Sequence, residues 1–350
     1  MRDGQAHLLA VLSVIISGIV IFAFFGVSKA DFVSMPEEQV AIPAFAGVGL
    51  YDQLEILAEN ERVDLEAEIK KYLRVSLPEK TKESDIKITA DYVKRNLHIE
   101  INNTDEEYQS SRPVMGSCNH IADVSYGHEG KKTFIDLTLD GVYEYEAASH
   151  DNQLIVKFLK PKDVYDKVIV VDAGHGGSHP GTNRNDVLEK DLTLSIVLYL
   201  KNLLDKSDIK VYYTRVDDSN PSFDERVQLA NQIEADFFLS VHINADERSS
   251  QPNGTEVLYY TADNRSMRFA NICVDQLSNA LNSKNRGITN GDTIYIIHNS
   301  LVPVALAEVG FLSNNAEFSQ LCSKSYQKKA AQGLYNAIIE AYEEMQGGGK

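Results

Sequence analysis

From residue 167 onward, short β-branched runs alternate with stretches of helical length, and this alternation narrows the fold more than any other feature of the chain. K-V-I-V-V-D (167–172), I-K-V-Y-Y-T-R (209–215), A-D-F-F-L-S-V-H (235–242), T-E-V-L-Y-Y-T (255–261), T-I-Y-I-I (293–297) and P-V-A-L-A-E-V-G (303–310) read as strands. Helices are predicted over 188–205, 222–234, 264–282 and 326–344. Leu192, Ile196, Leu200 and Leu203 mark one face of the first, and Ser222 with Glu225 forms a capping box for the second. Such alternation predicts an α/β domain over 166–345, with a mixed, mainly parallel sheet covered by helices on both faces.

The 84–162 region has a different texture. D-I-K-I-T-A-D-Y-V, L-H-I-E-I-N-N, K-T-F-I-D-L-T-L, V-Y-E-Y-E-A-A and Q-L-I-V-K-F-L are short, β-rich segments. Turn-like stretches lie between them at 102–105, 127–130 and 149–152. A small β-sandwich is predicted, with a binding or spacing role, because no nucleophile, base or ligand cluster lies there. Residues 31–83 read as an acidic tether with prolines at 36 and 43, followed by a helical stalk.

His7 to Val27 carries no formally charged side chain and is long enough to span a bilayer as a helix. Residues 1–30 are therefore a transmembrane anchor or a signal segment. The length favours the anchor, whereas Ser28-Lys29-Ala30 offers the small residues a signal peptidase prefers. On either reading the rest of the chain is exported to the cell envelope. The formal net charge of -17 argues against a nucleic-acid partner, which needs clustered Lys and Arg. Cys118, Cys273 and Cys322 are too scattered for a thiolate metal site, so any metal here takes imidazole and carboxylate ligands.

In open α/β sheets, ligands bind beyond the carboxyl ends of the strands. The first strand ends in Asp172 and delivers His175; a later one delivers His242; another ends at Glu308. Glu189 opens the helix that follows the glycine loop, on the same edge as His175. Singly each has an ordinary reading: a histidine in a turn, a helix-start carboxylate, a strand-end histidine, a glutamate paired with an arginine. Jointly, two histidines and a glutamate with one coordination position left open make a catalytic zinc site. A second carboxylate, Glu308, would serve as its base and acid.

The blocks D-A-G-H-G-G (172–177), L-E-K-D-L-T-L (188–194), S-V-H-I-N-A (240–245), R-G-I (286–288) and E-V-G-F-L-S-N (308–314) occur in a characteristic order and spacing. In both, the chain resembles the zinc-dependent N-acetylmuramoyl-L-alanine amidases of the amidase 3 family, over about 167–345. The resemblance implies zinc on His175, Glu189 and His242, catalysis by Glu308, and peptidoglycan as partner, cut between the muramoyl lactyl group and L-alanine. The β-rich region is similar to the AMIN domains that precede such enzymes. A protein activator is a further implied partner, because relatives can be held inactive by a helix inserted over the site; no long insertion separates His242 from Glu308 in this chain, which leaves 264–282 as the segment that could move. Three departures from the family pattern are His179, where an aspartate usually precedes Pro-Gly, a slightly short loop from His175 to Glu189 without the usual extra glycine, and His298, where an arginine is usual before the last strand. His179 is placed at the rim. Asn244 is expected to orient the ligand groups, and Arg286 to meet a substrate carboxylate or an acid near the site. Two rival functions stay open: a zinc peptidase acting within the stem peptide, and a catalytically idle wall-binding protein.

Overall fold

The computed structural model describes residues 50–61, 64–116 and 119–345. The candidate anchor at His7–Val27 and the tether after it lie outside the described residues. No described helix is long and apolar enough to cross a membrane.

Residues 73–159 form two four-stranded antiparallel sheets. One pairs Leu73–Ser76 with Val114–Met115 and Gln153–Leu159, and the latter with Glu144–His150. The other runs Ile86–Asp91, Asn96–Asn102, Lys132–Leu139, Ile121–Glu129 in spatial order. Leu73, Val75 and Leu154 of the first sheet share one core with Ile99, Ile101 and Leu137 of the second, so the pair is a sandwich. Along Gln153–Leu159 the alternate residue Ile155 points outward, where it is buried with Ala148 under Leu50 and Leu54 of the helix Leu50–Glu61. The predicted stalk is therefore packed against the sandwich, whose first strand starts at 73 rather than 84. Gly127-His128-Glu129 is not a turn but the end of a strand. The reversal follows at Gly130, whose φ of 58° suits a residue without Cβ.

The large sheet has the spatial order Lys210–Tyr213, Val168–Ala173, Phe237–Asn244, Val304–Phe311, Thr255–Tyr259, Asn285–Asn290. All neighbours are parallel except Thr255–Tyr259 against Val304–Phe311. Ile169, Val171 and Ala173 pack with the helices Glu189–Leu204, Asn264–Leu281 and Lys324–Met345 on one face. Val168 and Val170 pack on the other face with Val227 and Ala230 of the helix Phe223–Gln232. The expected α/β architecture is present.

One strand was misplaced. T-I-Y-I-I contributes the short helix Tyr295–His298, whose buried Ile296 and Ile297 pack with Val227 and Ala230. The edge strand is instead the polar N-R-G-I-T-N at 285–290, held by pairing with Thr255–Tyr259 rather than by apolar alternation.

The sandwich and the large sheet meet at a buried joint. Val142 joins the core formed by Val168 and Tyr212. Beside it, the Glu144 carboxylate accepts from the hydroxyls of Tyr92 (3.1 Å) and Tyr212 and pairs with Lys210 at 2.8 Å.

Candidate active site

Side chains alternate along each strand, so Ser240 and His242 leave the sheet on the face of Phe238. Glu308 leaves on the face of Leu306, which is that same face. His242 and Glu308 are direct register partners in adjacent parallel strands. The two strands continue past these residues to Asn244 and Phe311, further than their apolar runs suggest. The helix Phe223–Gln232 and the short helix Tyr295–His298 cover this face only partly. Where the cover stops, a cavity of about 870 Å³ opens, lined by His175, Glu189, His242, Asn244, Tyr295 and Glu308. The helix Asn264–Leu281 packs on the opposite face and contributes nothing to the lining, so it is not a lid.

Glu189 is the first residue of its helix and is buried. His175 Nε2 lies 3.0 Å and His242 Nδ1 3.1 Å from the same carboxylate oxygen, Oε1. The amides of Ile243 (3.1 Å, to Oε1) and Thr182 (2.9 Å, to Oε2) donate to this carboxylate as well. Burial pushes the Glu189 carboxyl upward, but hydrogen bonding to His175 and His242 and the charges of the two imidazoles outweigh it, holding the group well below the usual range. One donor atom from each of the three residues lies within 4.8 Å of the others.

Two glycines make this convergence sterically feasible. A Cβ on Gly174 would stand 2.4 Å from Cε1 and Nε2 of the His242 ring. On Gly181, whose φ is 67°, it would stand 2.5 Å from Glu189 Oε2 and 2.7 Å from His175 Cδ2. The glycines around His175 are therefore space for its partners. Gly174→Ala is expected to displace the His242 ring and lower kcat/KM by about 100-fold, the scale of a 1 Å misplacement, in steady-state assays. Unchanged kinetics would mean that the ring position does not matter.

His175 itself has φ 63°, a conformation costly for a residue with a side chain. Two buried arginines brace it. Arg226 pairs with the buried Asp172 and donates to the carbonyls of Ala173 (2.9 Å) and His175 (2.8 Å). Arg215 donates to the carbonyls of Ala173 (2.8 Å) and Gly174 (2.9 Å). Burial would raise the Asp172 carboxyl, but Arg226 and the hydroxyls of Ser240 and Thr214 hold it low. Sequence reasoning passed over both arginines, because an arginine within an amphipathic helix or just past a strand reads as solvent-facing.

Glu308 is different. Its Oε2 is buried without a hydrogen-bond partner among the described residues. Burial raises its carboxyl well above the ordinary value, and the charges of Glu189 and Glu256 push the same way. A buried carboxylate oxygen without a partner is uncommon, and this one lies in the same cavity as the three clustered side chains.

Asn244 lines the cavity and donates to Glu256 Oε1 at 2.6 Å. Arg286 Nε donates to Glu256 Oε2 at 3.0 Å, so of the two partners expected for Arg286 the structure supplies the acid. Glu256, directly opposite Glu308 in register, was not anticipated. The structure does not bring the other two histidines to the cavity. His179 is exposed and its Nδ1 meets Asn220 Nδ2 at 2.6 Å. His298 is exposed at the end of its short helix, edge-on to Tyr260 with ring centroids 6.0 Å apart.

An α/β sheet that gathers two imidazoles, a carboxylate and a second, buried carboxylate at one cavity has the donor set of a metal-dependent hydrolase. Comparison with known proteins narrows the class. Residues 169–340 match the Amidase_3 family, described as N-acetylmuramoyl-L-alanine amidase. The chain is 34% identical over 181 residues to the uncharacterized protein YqiI of Bacillus subtilis, covering 51% of this chain and 86% of that one. It is 31% identical over 192 residues to the germination-specific N-acetylmuramoyl-L-alanine amidase of the same organism, covering 51% and 81%. With the B. subtilis amidase LytC it shares 35% identity over 182 residues, which is 51% of this chain but only 36% of LytC. The chain belongs to the N-acetylmuramoyl-L-alanine amidase family.

Proposed function

We propose that the protein is an exported peptidoglycan amidase that hydrolyses the bond between the muramoyl lactyl group and L-alanine. The observation that carries this reading is the convergence of His175 and His242 on one oxygen of Glu189, with Glu308 Oε2, unpartnered among the described residues, in the same cavity. Family membership supplies the bond.

The donor set fits zinc: two imidazole nitrogens and one carboxylate, with no fourth protein ligand among the described residues. Zinc bound by His175, Glu189 and His242 would polarise the scissile carbonyl and acidify water. Glu308 would take a proton from the attacking water and return it to the alanine nitrogen as the amide breaks. A carboxyl raised by burial and like charge is suited to that two-way transfer. Arg226 and Arg215 would keep the His175 turn in place throughout. The partly covered face supports entry of a polymer from the open side of the cavity.

The localisation belongs to the proposal too: residues 7–27 would hold the enzyme at the outer face of a membrane, with the sandwich, AMIN-like in texture, beside the wall. Digestion of purified sacculi followed by mass spectrometry tests the reaction. The expected products are glycan free of peptide and peptides beginning with L-alanine. Cuts inside the stem peptide would identify a peptidase instead, and no products with zinc present would favour an idle wall-binding protein.

A further inference from the structure

Asn244 follows His242 by two residues on the same strand, and both line the cavity. A carboxamide can turn either its oxygen or its nitrogen to a ligand, and sequence does not say which. Here the neighbours decide. A carboxylate only accepts, so Glu256 Oε1, 2.6 Å away, must take the Asn244 nitrogen. Glu256 is pinned in turn. Its Oε2 accepts from Arg286 Nε at 3.0 Å, and a guanidinium only donates. Arg286 lies over the Phe311 ring at 4.9 Å and reaches the carbonyl of Asn253 at 3.4 Å. Asn244 Oδ1 is thereby turned away from Glu256, and among the described residues it accepts no hydrogen bond.

We infer that Asn244 Oδ1 is a fixed hydrogen-bond acceptor that reads an amide N–H of the substrate, and that Glu256 and Arg286 are the positioning residues that hold the carboxamide in that sense. The inference rests on the amidase reading. Peptidoglycan offers such N–H groups on its stem-peptide bonds and on the acetamido groups of its sugars. Both share the chemistry Oδ1 selects, whereas an ester oxygen at the same place would oppose lone pair to lone pair.

The test uses the full-length zinc-loaded protein and synthetic muropeptides in which one N–H at a time, never that of the scissile amide, is replaced by an ester oxygen. The replacements run along the stem peptide and include the acetamido group. For the wild type, one replacement is expected to lower kcat/KM by about tenfold, the size of one neutral hydrogen bond; its position tells peptide from sugar. For Asn244→Ala the same replacement should change the rate less than about twofold. Glu256→Gln makes the sharper prediction. Its oxygen stays with Arg286, its amide nitrogen faces Asn244, and Asn244 turns its own nitrogen to the cavity. The preference for the amide substrate should then vanish or reverse. Arg286→Lys keeps a donor on Glu256 and should retain the preference that Arg286→Ala loses.

The ratio of amide to ester rates within one variant cancels any loss of folded enzyme. Equal ratios in wild type and Asn244→Ala, or an unchanged preference in Glu256→Gln, would overturn the inference while unmodified muropeptide is still cut at the lactyl–alanine bond. Failure to cut that bond at all would overturn the amidase reading, and the inference with it.

Discussion

Glu308→Gln is expected to lower kcat by about 10²–10⁴-fold, the usual contribution of a general acid–base group, with zinc content unchanged. The argument starts from packing. Glu308 sits mid-strand, in register with His242, and glutamine matches its size, so the sheet and the cavity should keep their shape. What the variant loses is an oxygen that no described residue engages and a carboxyl that burial, Glu189 and Glu256 together push well upward. Steady-state kinetics beside elemental analysis separates the roles. If the variant came out of purification without zinc, Glu308 would be a ligand and the division of labour proposed here would be wrong.

Glu189→Ala should do the opposite: metal and activity go together. Its carboxylate meets both imidazoles and the amides of Ile243 and Thr182, so truncation leaves the imidazoles unanchored and two amides without their acceptor. Zinc affinity is expected to fall by more than the roughly 100-fold typical of losing a group that merely supports a ligand. Competition with a chromogenic chelator measures it. Affinity within about tenfold of wild type would move Glu189 out of the ligand set. Read together, the two variants form a pair of opposite signature, one with metal and no turnover, the other with neither.

The core of the site was legible because its chemistry-bearing residues interrupt apolar runs: His242 and Glu308 stand out against V-x-I and A-x-V neighbours, and His175 against glycines. Glu256 was not, since a glutamate in T-E-V-L-Y looks like the outward half of an ordinary alternating strand. Only the register that sets it opposite Glu308 reveals its place. The edge strand 285–290 escaped for a related reason: its stability comes from ladder hydrogen bonds to Thr255–Tyr259, which leave no mark in composition. His298, a departure from the family pattern, is exposed and edge-on to Tyr260, which no pattern in the sequence foretells.

The joint at Glu144 has a mechanical consequence. With two tyrosine hydroxyls and a lysine closing on one carboxylate beside the buried Val142, the sandwich and the hydrolytic half should turn as one rigid lever.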